Sequence, residues 1–398
     1  MKILSLFDGM ACGMIAMLEC NVDVERYVAF EIDKYAIKTS SHNFPNIEHK
    51  GDVFDADFTE YQGFDFLVGG SPCTYWSIAQ KNGRETEASG MGWELFQQYV
   101  RALREAKPKY FIYENNKSMS KAIRASIDET FGFEAVLINS ALVSAQNRQR
   151  LYWVGKRNAD GTYSKVDVEQ PEDRGILLKD VLDGNITGTV TNTKNHKTNR
   201  LGGLYGQVTR WGIYGTDGKT PTLTAAMGMG GGHIPMITEP IRVGSLPRPN
   251  GELSTSQAMR VYSTDGKSVN LTSGGGGMGG KTGLYAIPVE FDGTVPTKAI
   301  SQADGKTYRV YKVENGIINI KGKDYPIKLA DGYYIIRKLT VRECMRLQTI
   351  PEWYEFPVSD AQAYKQIGNG WTCEVITHLI KSCLAGKVDD FAEQIKFF

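Results

Sequence analysis

Cysteine is scarce in this sequence, and long apolar runs are lacking. Six cysteines in 398 residues show no CxxC or CxxxC pairing, which excludes a disulfide scaffold and indicates reduced thiols. No run approaches the roughly 20 apolar residues that a membrane helix needs. The opening MKILSLFDG has one Lys and a short apolar stretch broken by Asp8, so it predicts a first strand rather than a signal peptide.

Net charge is also nearly lacking, with 46 Lys and Arg residues against 45 Asp and Glu residues. A hydrophobic fraction of 41% with so little net charge excludes a disordered chain. The balance hides an asymmetry: residues 184–336 hold 17 basic and 10 acidic residues, whereas the rest holds 29 basic and 35 acidic residues. The middle is therefore the part most suited to a polyanion, although a solvated surface explains the same excess.

Residues 1–156 alternate short apolar runs with helical patterns, which predicts an α/β layer around a mostly parallel sheet. The expected strands are Lys2–Phe7, Tyr27–Phe30, Asp65–Val68, Tyr110–Tyr113, Ala135–Ile138 and Leu151–Val154. The expected helices are Lys34–Ser41, Trp93–Ala106, Lys121–Thr130, Thr340–Leu347 and Trp371–Leu384. Such sheets bind ligands at the carboxyl ends of their strands.

Residues 184–336 are rich in Gly, Thr, Tyr and Lys, which predicts a smaller domain of strands and loops. An internal repeat lies there: Tyr214–Thr224 matches Tyr262–Thr272 at seven of eleven positions, with an Asp-Gly turn signal in each copy. Two copies are too few for a solenoid, so we expect paired hairpins. We expect domains at 1–183 and 184–336, with 337–398 returning to the first domain.

Glycine and acidic residues follow the first three expected strands. Phe7–Gly13 is a glycine-containing turn before a helical pattern, and Glu31 ends the second strand. Asp52 stands near the end of a third strand, which is expected between Tyr27–Phe30 and Asp65–Val68. Glycines let the backbone approach a ligand, and an acidic residue there can accept hydrogen bonds from ribose hydroxyls. The layout is that of an adenosine-binding sheet, although many strand–helix turns need Gly for structural reasons alone.

Reactive side chains follow the later strands. Cys73 stands in a Gly/Pro loop where a nucleophile would be exposed, although a lone Cys is more often a buried apolar residue. Glu114 ends the fifth strand as a candidate acid or a helix cap. Arg148 and Arg150 face one side if the chain is extended, where one could grip a phosphate or a base oxygen, or form a surface ion pair.

Taken in order, these motifs resemble those of the DNA (cytosine-5)-methyltransferase family. The matching segments are Phe7–Gly13, Glu31, Asp52–Val53, Gly69–Cys73, Glu114–Asn115, Gln146–Arg150, Arg337–Gln348 and Gln366–Trp371. Asp8, Asn116 and Trp371 depart from the common bacterial patterns and are similar to the animal de novo branch. The length indicates a stand-alone bacterial or phage enzyme with no further regulatory domain.

The resemblance implies a Rossmann-like methyltransferase domain of α/β class, a smaller target-recognition domain, and S-adenosylmethionine as the cofactor. It implies no metal. The residues that it places at the cofactor are Phe7, Asp8, Gly9, Met10, Cys12, Glu31, Ile32, Asp52, Val53, Pro72, Asn369, Gly370 and Trp371.

The resemblance also implies the catalytic roles. Cys73 would attack carbon 6 of a flipped cytosine, Glu114 would bind the ring nitrogen, and Arg150 would hold the base carbonyl. Arg148, in the same motif, would be structural or phosphate-facing. The residues expected at the DNA are Thr222, Leu223, Arg210, Lys219 and Arg260.

We therefore expect an enzyme that methylates carbon 5 of cytosine in a specific sequence of double-stranded DNA. We expect a monomer, no membrane association, a cytoplasmic location in a bacterial cell or phage-infected host, and a cognate restriction enzyme as a candidate partner. Two alternatives stay open. One is a transfer-RNA cytosine-5 methyltransferase, which a branch of this family implies; the other is a catalytically dead DNA-binding protein on the same scaffold.

Overall fold

The computed structural model describes residues 1–77, 83–183, 200–203, 212–214, 241–254, 256–273, 279, 281–289 and 297–394. For Cys73, Gln257 and residues 200–203, 212–214 and 386–394 it describes the backbone alone. Contacts between Cα atoms divide the chain into two compact units. The first unit comprises Met1–Val143, Arg148–Glu172 and Met345–Phe398, and the second comprises Ser144–Asn147 and Asp173–Cys344.

An eight-stranded sheet lies at the centre of the first unit. Its strands are β1 Lys2–Leu6, β2 Arg26–Phe30, β3 Glu48–His49, β4 Phe66–Gly69, β5 Tyr110–Asn116, β6 Val136–Asn139, β7 Gln149–Arg157 and β8 Tyr163–Lys165. The order is β3-β2-β1-β4-β5-β7-β6, with β8 beside β7. Strands β1 to β5 pair in parallel, whereas β6, β7 and β8 pair antiparallel. The six expected strands are confirmed, and the further strand expected near Asp52 is the short β3, which ends three residues before it. Strand β8 was missed because it is only three residues long.

The strand order reverses direction at β1, with β2 on one side and β4 on the other. In an open parallel sheet, connections that leave a strand in opposite directions open a crevice at the carboxyl ends. The turn after β1 and the segments after β2 and β4 therefore face the same crevice. The sequence motifs with Gly, Glu and Cys stand in these three segments.

The helices are α1 Cys12–Glu19, α2 Lys34–Asn43, α3 Gly90–Ala106, α4 Lys121–Phe131, α5 Val341–Leu347, α6 Asp360–Asn369 and α7 Cys373–Gln394. The five expected helices are confirmed as α2, α3, α4, α5 and α7. Helix α6 was missed because its end contains Gly and Asn, which have low helix propensity and look like a loop in the sequence.

Helix α3 packs an apolar face on the sheet. Phe96, Tyr99, Val100 and Leu103 follow helical spacing and are buried. The Tyr99 hydroxyl bonds to backbone carbonyls of both neighbouring strands, Leu67 in β4 at 3.2 Å and Ile112 in β5 at 2.9 Å. This side chain helps to fix the spacing of the two strands that lead to Cys73 and Glu114.

The second unit contains the β-rich region expected from the sequence. The strands of its main sheet are β11 Arg242–Ser245, β12 Arg260–Ser263, β13 Leu284–Pro288, β16 Tyr311–Glu314, β17 Ile317–Ile320, β18 Lys323–Pro326 and β19 Gly332–Arg337. They follow the order β11-β12-β13-β19-β16-β17-β18. Two small sheets pair β9 Arg200–Gly203 with β10 Gly212–Tyr214, and β14 Lys298–Ile300 with β15 Thr307–Arg309.

The expectation of paired hairpins is wrong for the second repeat copy, Tyr262–Thr272. This copy begins in β12, which pairs in parallel with β13, and the chain does not fold back on β12 after the Asp-Gly turn. The Ser268 N–H instead donates to the Ala145 carbonyl at 2.6 Å, and the Asn147 N–H donates to the Ser268 carbonyl at 3.1 Å. A distant segment thus takes the hydrogen bonds that a hairpin would need. The first copy lies outside the described residues except for Tyr214.

Lys267, in the same repeat copy, is fully buried rather than exposed to a phosphate. Its ammonium group donates to the carbonyls of Ser144, at 3.2 Å, and Ile176. Burial lowers the pKa of Lys267, and Asp173 and Asp180 oppose that change. This lysine therefore supports the fold of the second unit and is not available to grip DNA.

A buried ion pair joins the end of β19 to the start of α5. The guanidinium of Arg337 binds both carboxylate oxygens of Glu343 at 2.7 Å, and the two side chains are 1% and 0% exposed. The same carboxylate accepts the N–H groups of Thr340 at 2.8 Å and Asp183 at 3.0 Å. Every oxygen of this carboxylate is therefore hydrogen-bonded.

Candidate active site

The turn after β1 holds residues in left-handed backbone conformations. Phe7, Gly9 and Ala11 have φ values of 57°, 60° and 62°. Glycine adopts this conformation freely, whereas Phe and Ala are strained there by roughly 1–3 kcal/mol each. The turn is held by a hydrogen bond from the Gly9 N–H to Glu31 at 2.8 Å, and by one from the Tyr354 hydroxyl to the Met10 carbonyl at 2.6 Å.

Asp8 has a carboxylate that is only half satisfied. Its Oδ1 accepts hydrogen bonds from the hydroxyls of Ser5 at 2.6 Å and Tyr27 at 2.7 Å. Its Oδ2 is buried and has no hydrogen-bond partner among the described residues. Burial raises the pKa of Asp8 to about 6, with the two hydroxyls opposing the rise and Glu31 adding to it. The site thus contains an anion that lacks a donor.

Glu31, directly after β2, binds backbone N–H groups with both oxygens. Oε2 accepts from Gly9 at 2.8 Å, and Oε1 accepts from Ile32 at 2.8 Å and Asp33 at 2.7 Å. The carboxylate ties the turn after β1 to the start of α2. Each oxygen has more than one lone pair, so a further hydroxyl donor can be accommodated.

Asp33 and Lys365 form an ion pair that sequence analysis missed. Asp33 caps α2 by accepting from the Tyr35 N–H at 2.9 Å, and it binds Lys365 Nζ at 2.6 Å. The pair connects α2 with α6, which ends where Gly370 and Trp371 begin. The sequence offered one signal for this lysine. Lys365 and Gln366 lie about one helical turn before Asn369, so in a helix they would lie on the same side as this expected cofactor residue.

A cavity of about 200 Å³ opens at the carboxyl ends of the parallel strands. The expected cofactor residues that line it are Phe7, Asp8, Gly9, Met10, Cys12, Glu31, Pro72, Asn369, Gly370 and Trp371. Glu114 lines it too. Lining residues that were not named as site residues include Gly70, Ser71 and Gln366, which lie in matched segments. Those outside every matched segment are Asp33, Ala36, Thr74 and Lys365.

Three residues expected at the cofactor do not line this cavity. Ile32 is 73% exposed. Asp52 caps a short turn by accepting from the Phe54 N–H at 3.0 Å, and Val53 is buried in the core of the sheet. Their positions beside β2 and β3 leave Ile32 as an exposed apolar surface next to Glu31.

Glu114 lies in β5 and binds two side chains. Its Oε1 is 3.1 Å from Nε of Arg150, and its Oε2 accepts a hydrogen bond from Nε1 of Trp371 at 3.0 Å. Glu114 does not cap the following helix, because Ser120 does so through the Ile123 N–H at 3.1 Å. The structure thus brings together three residues that are far apart in the sequence.

Arg148 and Arg150 are two residues apart but have different partners. Arg148 is 3% exposed, and its guanidinium donates to the carbonyls of Gly368 at 3.3 Å and Gly370 at 2.8 Å. Arg150 pairs with Glu114. Arg148 therefore supports the segment that carries Trp371, whereas Arg150 lies beside the carboxylate expected to bind the base.

Cys73 begins a 3-10 turn, Cys73–Tyr75, shortly after β4. The loop before it is fastened to β5, because Asn115 Nδ2 donates to the Ser71 carbonyl at 3.2 Å and the Ser71 hydroxyl bonds to Tyr113 at 2.7 Å. Gly70 permits this approach: a Cβ added there would lie 2.9 Å from Glu114 Oε2. The cysteine backbone and Glu114 are thus held on adjacent strand ends.

The far side of the Cys73 loop is also anchored. The buried Trp76 donates from Nε1 to Glu85 at 3.0 Å, and the Glu85 N–H donates to the Tyr75 carbonyl at 2.9 Å. Arg84 donates to the Ser118 carbonyl at 2.6 Å. The segment between these anchors, 78–82, lies outside the described residues.

Of the residues expected at the DNA, Arg210, Lys219, Thr222 and Leu223 lie outside the described residues. Arg260 begins β12 in the second unit and is half-buried. Over the described ranges, no helix is long and apolar enough to cross a membrane. The same ranges contain no group of three His, Cys, Asp or Glu residues that could hold a metal ion.

Comparison with known proteins gives matches along almost the whole chain. The family model described as C-5 cytosine-specific DNA methylase matches residues 1–385. The orphan methyltransferase M.SPRI of Bacillus phage SPR is 26% identical over 96% of this chain and 97% of its own length. The type II methyltransferase M1.ScrFI of Lactococcus lactis subsp. cremoris is 26% identical over 92% of this chain and 74% of its own length.

A solved structure shares the fold. It is a putative DNA modification methyltransferase encoded within an E. coli prophage, with a TM-score of 0.52 and 16% sequence identity. The match covers 98% of this chain and 99% of that chain.

Proposed function

The chain belongs to the C-5 cytosine-specific DNA methylase family, and we propose that it takes the methyl group from S-adenosylmethionine and uses Cys73 as a covalent nucleophile. The acceptor is carbon 5 of a cytosine flipped out of a specific sequence in double-stranded DNA. Glu114 and Arg150 bind the flipped base, and Arg148 supports the segment of Asn369–Trp371.

One observation carries this proposal: a single cavity is lined by the residues expected at the cofactor and by Glu114. Pro72, directly before Cys73, lines the same cavity. Methyl transfer requires the donor and the acceptor carbon to be held in contact and in line. A cofactor site and a base site that share one cavity wall meet this requirement.

The side chains around the cavity suit the chemistry of S-adenosylmethionine. Asp8 Oδ2, a buried carboxylate oxygen without a partner among the described residues, suits the ammonium group of the cofactor. Glu31 suits the ribose hydroxyls, and the exposed Ile32 suits the apolar face of an adenine. When bound, the cofactor supplies a methyl group on a sulfonium, which is strongly electrophilic.

Cytosine carbon 5 is a poor nucleophile, so the protein must activate the ring. The Cys73 thiolate forms a bond to carbon 6, while Glu114 gives or shares a proton at the ring nitrogen that receives the displaced electron pair. Arg150 holds the base carbonyl oxygen. Once carbon 5 is methylated, a base removes its proton, and the returning electron pair expels the Cys73 thiolate and restores the ring.

Carbon 6 is closed off in a stacked duplex, so the base must leave the helix. We assign DNA binding to 184–336 and catalysis to 1–183 with 337–398. Thr222 and Leu223 would lie near the flipped base, and Arg210, Lys219 and Arg260 would contact the duplex. The monomeric enzyme would act where the DNA is, in the cytoplasm of a bacterium or an infected host, with or without a cognate restriction enzyme.

Transfer of tritium-labelled methyl groups tests the proposal. Wild-type protein is incubated with unmodified bacterial genomic DNA and, separately, with transfer RNA. We expect label in DNA from the wild type and none from Cys73→Ser. Label in RNA alone would identify the transfer-RNA alternative, and DNA binding without label would identify a dead scaffold. Bisulfite sequencing of the DNA product then gives the target sequence.

Covalent trapping tests the nucleophile separately. Carbon 5 of 5-fluorocytosine has a fluorine that cannot leave as a proton, so the adduct should persist. We expect a denaturation-resistant complex between labelled duplex and the wild type, and none with Cys73→Ser. An adduct of equal yield with the Ser variant would exclude Cys73.

A further inference from the structure

We infer that Trp371 is a positioning residue for the carboxylate that binds the base: its indole N–H orients Glu114 while its ring forms part of the cavity wall. The inference rests on the proposed function, in which Glu114 binds the ring nitrogen of cytosine. It assigns to Trp371 a role in activating the base, separate from its expected contact with the cofactor.

The two oxygens of Glu114 are engaged by different donors. Arg150 Nε lies 3.1 Å from Oε1, and Trp371 Nε1 donates to Oε2 at 3.0 Å. The side chains of Glu114 and Arg150 are each 12% exposed, so little water competes for these oxygens. Rotation about the last bond of a Glu side chain is otherwise broad. A donor on each oxygen fixes the plane of the carboxylate, and Arg150 alone would leave it free to turn.

The backbone on both sides of Trp371 is firmly held. The Gly370 carbonyl accepts from Arg148 at 2.8 Å and from Gln348 Nε2 at 3.2 Å. The Thr372 hydroxyl donates to Gln348 Oε1 at 2.8 Å. An indole anchored in this way can impose an orientation on Glu114, because its own position does not follow that of the carboxylate.

The two edges of the indole face different surroundings. The five-membered ring carries the N–H that reaches Glu114. The six-membered ring lies near the start of α1, since a Cβ added at Gly13 would be 3.9 Å from Trp371 Cζ3, and the residue lines the cavity. One side chain therefore contacts both the wall of the cofactor cavity and the base-binding carboxylate, and the two functions can be separated by substitution.

Two variants remove one function each. Trp371→Phe keeps an aromatic ring in the cavity wall but has no N–H. Trp371→His keeps an N–H at nearly the same reach, because imidazole and the pyrrole part of indole are both five-membered rings on Cβ, but it loses the six-membered ring. Trp353→Phe is the matched control, since Trp353 is 53% exposed, packs on Phe44 and Tyr354, and is not among the residues that line the cavity.

Hydrogen exchange at carbon 5 is measured without cofactor, so it does not depend on the cavity wall. Bacterial genomic DNA labelled with tritium at cytosine carbon 5 is the probe. Cys73 adds to carbon 6, carbon 5 takes a proton from water, the triton leaves to water, and the thiolate departs, so the base is restored. The rate of tritium release therefore reports activation of the base by Cys73, Glu114 and Arg150, without a contribution from the cofactor. Binding of S-adenosylhomocysteine is measured in parallel by calorimetry.

We expect Trp371→Phe to slow tritium release and kcat by at least about tenfold, as for a lost hydrogen bond to a charged group, with cofactor-analogue affinity within about threefold of wild type. Trp371→His should keep the exchange rate within about threefold of wild type. The same variant should bind S-adenosylhomocysteine more weakly than the wild type does. Trp353→Phe should change neither quantity.

Wild-type exchange by Trp371→Phe would overturn the inference while leaving the proposed function intact. A parallel loss of exchange and analogue binding in both variants would also overturn it, because that pattern indicates a general packing role. No exchange by the wild type on DNA that it binds would overturn the proposed function together with this inference. Unfolding curves of each variant identify a change caused by loss of the fold.

Discussion

Asp8 and Glu343 are acidic side chains in different units of the chain, and their surroundings are opposite. Glu343 forms a bidentate ion pair with Arg337 and also accepts hydrogen bonds from two backbone N–H groups. Asp8 receives two hydroxyl hydrogen bonds on one oxygen, and the other oxygen has no partner among the described residues. The fully satisfied carboxylate holds a fold together, whereas the unsatisfied one costs stability. A buried group of this kind that lines a cavity is a candidate for ligand binding.

The largest expected effect is the loss of stability on removing Glu343, the carboxylate whose oxygens are both hydrogen-bonded. Glu343→Ala leaves the Arg337 guanidinium buried without its anion, which should cost about 3–5 kcal/mol of unfolding free energy. Glu314→Ala, in the exposed pair with Lys312, is the control and should cost less than about 1 kcal/mol. Urea unfolding followed by circular dichroism measures both. Equal costs for the two variants would remove the distinction between buried and exposed pairs.

Asp8→Asn should raise the free energy of unfolding, whereas Glu343→Ala lowers it. Since the native pKa is raised from 3.8 to about 6, the native state binds more protons than the unfolded state between these values, and ionised Asp8 destabilises the protein above pH 6. An Asn cannot ionise, so the free energy of unfolding without cofactor should rise by about 1–3 kcal/mol at pH 7. The same variant should bind S-adenosylhomocysteine about tenfold or more weakly, because the ammonium loses a charged partner.

A decrease in stability together with unchanged analogue binding would mean that Asp8 is a structural residue like Glu343. Ser5→Ala serves as a comparison, because it removes one donor to Asp8 but leaves its charge in place.

The pH dependence of binding sharpens the same contrast. Protonation of Asp8 as the pH falls through about 6 removes its charge, so wild-type affinity for S-adenosylhomocysteine should fall about tenfold from pH 7 to pH 5. Burial keeps Tyr27 neutral over this range by raising its pKa. Calorimetry at several pH values should give a sloping curve for the wild type and a flatter one for Asp8→Asn. Parallel curves would contradict the assignment.

The smallest expected effect compares two basic residues of the second unit. Arg260→Gln should reduce the slope of log affinity against log salt for duplex DNA by about 1, as expected for loss of one phosphate contact. Lys267→Met should leave that slope unchanged, because its ammonium is buried against backbone carbonyls. Fluorescence anisotropy with labelled duplex DNA at several salt concentrations measures both slopes. A slope lowered by Lys267→Met would mean that this lysine reaches the DNA.

Much of the first unit could be predicted because its elements are coded locally. Each apolar run that was expected as a strand is a strand, since strands buried inside a sheet are continuous apolar segments between helical patterns. The order of the motifs also indicated the residues at the cavity. Ile32, Asp52 and Val53 match the motifs but do not line the cavity, because a matched letter does not give the direction of its side chain. Their expected contact with the cofactor stays a prediction.

Long-range contacts could not be predicted. The hydrogen bond from Trp371 to Glu114 joins two motifs far apart in the sequence, and no local pattern encodes it. The Asp-Gly signal in the second repeat copy suggested a hairpin, but backbone contacts with Ala145 and Asn147 decided its conformation. The same tertiary contacts made Lys267 a buried residue rather than the exposed cation that a basic region suggests.

The cavity is built from residues near Asp8 and from residues as late as Trp371, with the second unit between them in the chain. A ribosome adds roughly 5–20 residues per second, so the last residues that line the cavity are synthesised on the order of tens of seconds after the turn that follows β1. Helix α1 meets its partner α7 only then, through contacts such as that of Glu19 with Thr377 at 2.7 Å. A nascent chain therefore has its cysteine loop long before it has a complete cavity.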